Sequence, residues 1–275
     1  MNHPSPALDP AAIAAEALAA LDEHRQIAPF SSRCDGFDLD TAYRAAAHIR
    51  AIRSARGEVP IGRKIGFTNR TIWAEYGVWA PIWGHVYDRT VHDLPARGSA
   101  FPLGRLAEPR IEPEIVFGLG AAPAAGMDET ALLDCIEWVA HGFEIVQSIF
   151  PGWKFAAADT VAAFALHGAL LIGPRRRIAP DRERWLATLS SFELDLCCDD
   201  AIVDRGQAAN VLDGPLLALR HLVELLASDP SQPALAAGEL ITTGTLTRAL
   251  PVGRGQTWAT AMRGIALDGI SASFE

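Results

Sequence analysis

The period of the apolar positions changes near residue 60. Before it, Ile13, Leu18 and Leu21 recur at helical spacing behind Asp9-Pro10. There, an Asp can accept from the free N–H groups and a Pro is tolerated in the first turn. A second helix is predicted from about Asp40. It has Tyr43, Ala47 and Ile52 on one side, Arg50, Arg53 and Arg56 toward its end, and Gly57 as its stop. From Pro60 onward, short β-type runs at 63–67, 84–87 and 111–117 alternate with Gly and Pro breaks. The spacing of Leu132, Leu133, Ile136 and Val139 predicts a helix over 129–141, closed by Gly142, with a strand at 143–146. An apolar stretch covers 160–172. An alternating strand at 192–196 turns through Asp199-Asp200 into Ile202-Val203, a helix fills 215–226, and further strands are predicted at 239–243 and 265–274. The pattern predicts an α+β protein: a helical N-terminal region, 1–58, and a β-rich core, 59–275.

Composition narrows the function classes. Hydrophobic residues make up 49% and charged residues 21%, which permits a sizeable core and excludes wholesale disorder. The formal charge of -9 argues against nucleic acid as a partner, since the one basic run, Arg175-Arg176-Arg177, is too short for a phosphate-binding surface. Cys34, Cys135, Cys197 and Cys198 fit neither a zinc pattern nor a disulfide framework and are expected to be reduced thiols. No apolar run reaches the roughly 18–20 residues of a membrane helix, and the start Met1-Asn2-His3-Pro4 lacks the features of a secretory leader. A soluble, cytoplasmic protein without a membrane segment is expected.

The chemistry-bearing positions are few. Glu112 and Glu114 flank Pro113; on a strand, residues two apart face one side, and two such carboxylates repel unless a cation or a shared proton offsets them. A hard divalent ion with oxygen ligands would do so. The plain alternative is an exposed pair on an edge strand, which Pro113 favours because it cannot donate to a ladder. Glu144 interrupts the apolar run Phe143-Glu144-Ile145-Val146, so it is paired, metal-bound or on the solvent face. Lys64, in Gly62-Arg63-Lys64-Ile65-Gly66, is either a surface lysine or a site-floor group whose pKa burial would lower. The segment 242–247, Thr-Thr-Gly-Thr-Leu-Thr, offers hydroxyls and N–H groups to a carboxylate or is an ordinary loop. His167, inside an apolar run, reads first as a hydrogen-bonded core residue. No dinucleotide fingerprint, Walker loop, zinc-protease helix or nucleophile elbow is present.

The order of these pieces is more specific than any one of them. Gly62 to Thr68, Pro109 to Ile115, Phe143 to Val146, Trp153-Lys154 with Asp159-Thr160-Val161-Ala162, and Gly244 to Thr247 together resemble the 2-keto-4-pentenoate hydratase and 4-oxalocrotonate decarboxylase branch of the fumarylacetoacetate hydrolase superfamily, over residues 10–275. The resemblance implies a barrel-like core of mixed sheets behind the helical part. It also implies Mg²⁺ or Mn²⁺ held by Glu112, Glu114 and Glu144, Lys64 as the catalytic lysine, and substrate contacts from Lys154, Asp159, Thr245, Trp83 and His167. The implied activity is a lyase that hydrates a 2-hydroxy-2,4-dienoate to a 4-hydroxy-2-oxo acid. The alternatives are a decarboxylase of a 2-oxo-3-enedioate or a non-catalytic partner subunit of such an enzyme. A homo-oligomer is implied too, with a possible complex between hydratase and cognate decarboxylase. The chain departs from the family pattern at Ile82, where an acidic residue is usual, and at Ala162-Ala163-Phe164, where Ala-Asp-Asn is common.

Overall fold

The computed structural model describes residues 9–94, 100–179 and 181–275, so residues 1–8 of the expected helical region lie outside it. Helix α1 (Pro10–Asp22) begins where the Asp9 carboxylate accepts from Ala11 N at 2.9 Å. Helix α2 (Leu39–Ala55) begins within a residue of the expected Asp40, and Asp38 caps it, accepting from Thr41 N at 2.9 Å.

The strands are β1 (Pro60–Gly66), β2 (Ile82–Tyr87), β3 (Val91–Asp93), β4 (Arg110–Leu119), β5 (Ile136–Val146), β6 (His167–Ile172) and β7 (Arg176–Arg177), then β8 (Glu193–Cys198), β9 (Ala201–Gln207), β10 (Leu240–Thr242), β11 (Leu250–Pro251), β12 (Thr257–Arg263) and β13 (Ser271–Ser273). Between them lie α3 (Trp73–Tyr76), α4 (Glu129–Asp134), α5 (Ala157–Ala162), α6 (Arg182–Thr188) and α7 (Pro215–Ser228). The larger sheet runs β2-β1-β10-β4-β5-β6-β3, with β11 added to β4 and β7 to β5, and it curls into a half-barrel. A smaller sheet runs β13-β12-β8-β9.

Alternation along β4 explains how the larger sheet is used. Ile111, Ile115 and Phe117 are fully buried in the main core with Leu194 and Leu196 of β8, Trp258 of β12 and Leu219 and Leu222 of α7. Each such side chain contributes about 1.5–3 kcal/mol by leaving water. The opposite face carries Glu112 and Glu114. Helices α1, α2 and α5 form a second cluster with Phe30, Phe150, Ile82, Phe164 and Ala165. No helix among the described residues is long and apolar enough to cross a membrane.

Two elements differ from the pattern reading. The helix over 129–141 ends at Asp134, and β5 starts at Ile136. Leu132, Leu133, Ile136 and Val139 satisfy a helical spacing by coincidence. Ten paired positions with β4, and the β-branched and aromatic content of 136–146, decide for strand. The indole of Trp138 also fills the space over Gly118, where an added Cβ would lie 1.9 Å from it. At the C-terminal end, the predicted strand at 265–274 reduces to Ser271–Ser273, while Thr257–Arg263 forms a seven-residue strand against β8.

Pro113 sits in a central strand, not an edge, and the topology accounts for it. β4 pairs β10 through Val116–Gly118 and β11 through Arg110–Ile111, which leaves a gap on that side. A loop fills the gap: Pro113 O accepts from Leu246 N at 2.9 Å. The N and C=O of one strand residue point to one side, so the missing N–H faces this loop and no ladder bond is lost.

Candidate metal centre

Three strands of the half-barrel converge on one spot. Glu112 and Glu144 are direct cross-strand partners in the β4–β5 ladder, and Glu114 lies opposite Gly142. The three carboxylates each offer an oxygen, all within 4.8 Å of one another. Glu114 and Glu144 are fully buried and Glu112 is half-buried. Lys64 reaches the cluster from β1, which stands two strands from β4 across β10. Its Nζ is 3.1 Å from Glu144 Oε2 and donates to Ala165 O at 3.1 Å.

The backbone around the cluster is specialised. Phe164, Ala165 and Leu166 are consecutive left-handed residues, with φ of 62°, 51° and 64°. Such a run costs roughly 1–2 kcal/mol per residue, and packing against α2, α5 and β2 holds it. It turns the Ala165 carbonyl onto Lys64. Gly244 has φ +93°, and a Cβ there would fall 1.7 Å from Thr68 Oγ1. This conformation aims its N–H at Glu114 Oε2, 2.7 Å away.

The electrostatics follow from crowding. Burial pushes the Glu114 carboxyl well above its usual range, with Glu144 and Glu112 adding to the effect. Burial likewise raises Glu112, to about 7, against the pull of Lys64. For Glu144, burial is outweighed by the Lys64 ammonium and the His167 hydrogen bond, and the group is held at about 2. Burial alone would lower Lys64, as the sequence reading supposed. The carboxylates of Glu144, Glu112 and Glu114 outweigh it, so Lys64 is held above its ordinary value instead.

The donor set fits a hard divalent cation. Glu114 Oε1 is buried with no hydrogen-bond donor, and Glu144 Oε2, equally buried, has only the Lys64 ammonium beside it, 3.1 Å away. Orphaned buried carboxylate oxygens are costly unless a cation meets them. Beside them opens a cleft of about 460 Å³, counted out to solvent, walled by Ile72, Ile82, Val146, Trp153 and Leu166 with Lys64, Glu112 and Thr245. Arg110 is two residues before Glu112 on β4, and its guanidinium lies 4.2 Å from the centre of the Trp153 indole.

Not every sequence-predicted residue reaches the cleft. Glu112, Glu114, Glu144 and Lys64 come together, and Thr245 lines the wall, its hydroxyl donating to Thr247 O at 3.0 Å. Trp83 does not: it alternates with Ile82 and stacks on Tyr43 of α2, centroids 5.4 Å apart. Lys154 is exposed and outside the cleft. Asp159 is fully buried but its oxygens are consumed by Ser31 and by Ala156 N, which ties α5 to the N-terminal helices. His167 stands behind Glu144, its Nδ1 2.7 Å from Oε1. Pattern reading missed the Ala165 carbonyl, the Gly244 N–H and Arg110. The first two act through backbone, whose direction no side-chain pattern encodes.

A curled mixed sheet with this arrangement is the fold of fumarylacetoacetate hydrolase proteins. Fumarylpyruvate hydrolase from Pseudomonas aeruginosa, in complex with Mn²⁺ and pyruvate, matches it with a TM-score of 0.58 at 14% identity, over 78% of this chain and 89% of that one. 4-Oxalocrotonate decarboxylase from Pseudomonas putida G7, complexed with magnesium and adipate, matches with a TM-score of 0.87 at 25% identity, over 97% of each chain. In sequence, 2-keto-4-pentenoate hydratase 1 of Dechloromonas aromatica (strain RCB) is 32% identical over 96% of both chains. No family model matches the sequence. The chain belongs to the family of 2-keto-4-pentenoate hydratases and 4-oxalocrotonate decarboxylases, which are lyases.

Proposed function

We propose that the protein adds water to a 2-hydroxy-2,4-dienoate, giving a 4-hydroxy-2-oxo acid, at a Mg²⁺ or Mn²⁺ centre held by Glu112, Glu114 and Glu144. The observation that carries this reading is a cluster of three crowded carboxylates, with Glu114 Oε1 buried and donorless, set beside a buried lysine at the floor of an apolar cleft. A bound divalent cation supplies positive charge that offsets the negative charge developing on the substrate's C2 oxygen. The reaction moves the 2-hydroxyl proton to the carbon chain and then adds the elements of water across the conjugated system. Lys64 is the buried ammonium in reach of that head group, and Ala165 O holds its Nζ in place for proton transfer. Ile72, Ile82 and Leu166 keep bulk water from the hydrocarbon tail. Ile82 also replaces an acidic residue expected there, which favours a less polar tail.

The test is a paired assay with Mg²⁺. Loss of the dienoate chromophore without CO₂ supports hydration, whereas CO₂ release from a 2-oxo-3-enedioate without hydration rejects it. Glu114→Gln and Lys64→Ala are each expected to lower turnover at least about 100-fold. Turnover unchanged in both variants would remove the catalytic reading and favour the partner subunit. Decarboxylation has one specific observation in its favour: Arg110, at the Trp153 wall, is a cation suited to a second carboxylate. Arg110→Ala separates the two, raising KM for an enedioate by about tenfold or more but leaving a monocarboxylate unaffected.

A further inference from the structure

The two fully buried glutamates share a feature. Each has one oxygen held by a fixed donor and the other turned to the cluster, Glu114 Oε1 without a donor and Glu144 Oε2 with only the Lys64 ammonium beside it. For Glu114 the donor is Gly244 N, a backbone group that side-chain variation cannot remove. For Glu144 it is the imidazole of His167, a single side chain. The family resemblance implies a substrate contact for His167, whereas its place in an apolar run implies a hydrogen-bonded core residue. In the structure its ring bonds Glu144 and does not line the cleft, where the neighbouring Ala165 and Leu166 form the wall.

His167 is itself fixed at both ends. Its Nδ1 meets Glu144 Oε1 at 2.7 Å, and its Nε2 meets Thr90 Oγ1 at 2.8 Å. Thr90 is anchored in turn, its hydroxyl lying 2.9 Å from Tyr87 O at the end of β2. The His167 side chain is 1% exposed, so no water competes for either nitrogen. A carboxylate held by one oxygen presents the other in a single direction. Without that hold, Glu144 is free to rotate and to give both oxygens to Lys64, which already stands 3.1 Å from Oε2.

We propose that His167, backed by Thr90, is a positioning residue that restricts Glu144 to one-oxygen ligation of the divalent cation and keeps Oε2 turned toward Glu112 and Glu114. This rests on the metal reading above. Outer partners of metal ligands are worth roughly 10–100-fold in affinity.

The test is calorimetric titration of the metal-stripped full chain with Mn²⁺, independent of turnover. His167→Leu is expected to weaken Mn²⁺ binding about 10–100-fold. His167→Asn, whose amide N–H can occupy the place of Nδ1, is expected to recover affinity to within roughly fivefold of wild type, and Thr90→Val to lose a few-fold. A merely structural role would lower thermal stability in the Leu and Asn variants alike and would not give this rescue. If His167→Leu does not fold, His167→Gln replaces it, because its longer amide addresses Thr90 in preference to Glu144; the same loss is expected. Wild-type affinity in the folded Leu or Gln variant, or equal losses in Leu and Asn, overturns the proposal. A wild-type protein that takes up no Mn²⁺ overturns the metal centre and this role together, whereas intact wild-type binding with unchanged variants overturns this role alone.

Discussion

Gly244 is the residue where backbone conformation and chemistry are least separable. Its N–H reaches Glu114 because φ is +93°, and Thr68 occupies the space that a side chain would need. Gly244→Ala is therefore expected to cost about 2–5 kcal/mol, from left-handed strain plus overpacking, and to weaken divalent-cation binding as well. Denaturant unfolding with and without Mn²⁺ measures both. His85 offers a different kind of residue-level prediction. Burial, then the charges of Arg63, Arg50 and Arg53, lower its pKa from 6.5 to about 3, and its Nε2 is buried without a partner. A histidine depressed in the folded state contributes stability that is present above the unfolded pKa and lost as pH falls from 6.5 toward 3. Allowing for its partial exposure, the wild type should lose at least about 1 kcal/mol more than His85→Gln between pH 7 and pH 4.5. Equal pH slopes for the two proteins would remove this account.

Among the elements, β4 and β5 teach the most. Pro113 argued for an edge strand, yet it lies in the middle of the sheet because a loop takes the place of a neighbour there. Pro113→Ala is thus expected to cost no more than about 1 kcal/mol, chiefly through the freer unfolded chain, and to leave metal affinity unchanged; thermal unfolding decides. The carboxylate cluster was legible because period two puts residues 112 and 114 on one face, and because a charge inside Phe143–Val146 demanded a partner. Its assembly with Lys64 came from family resemblance, since nothing in local pattern sets the strand order β1-β10-β4-β5. The helix over 129–141 failed for the complementary reason. Leu132 to Val139 fits a 3.6 period, and the long-range ladder that overrules it leaves no local trace. Trp83 was misassigned by one position: it and Ile82 face opposite ways, and Ile82 faces the cleft.

For the whole molecule, we propose a homo-oligomer, and sedimentation velocity at micromolar concentration is expected to show a species larger than the 29.5 kDa chain; a monomer throughout would end that expectation. Mixing with a cognate decarboxylase or hydratase in the same experiment tests the proposed complex between the two. The larger consequence lies in residues 164–167. That short segment grips Lys64, the proposed proton carrier, through Ala165 O and Glu144, a proposed metal ligand, through the His167 ring. On that proposal, acid–base group and cation holder hang from one hinge pin, and neither can be re-aimed alone. Ile82 and Trp153 line walls that carry neither duty, and Arg110 stands against Trp153. A change on those walls can alter what the cleft accepts, while any change in the 164–167 segment disturbs two grips at once.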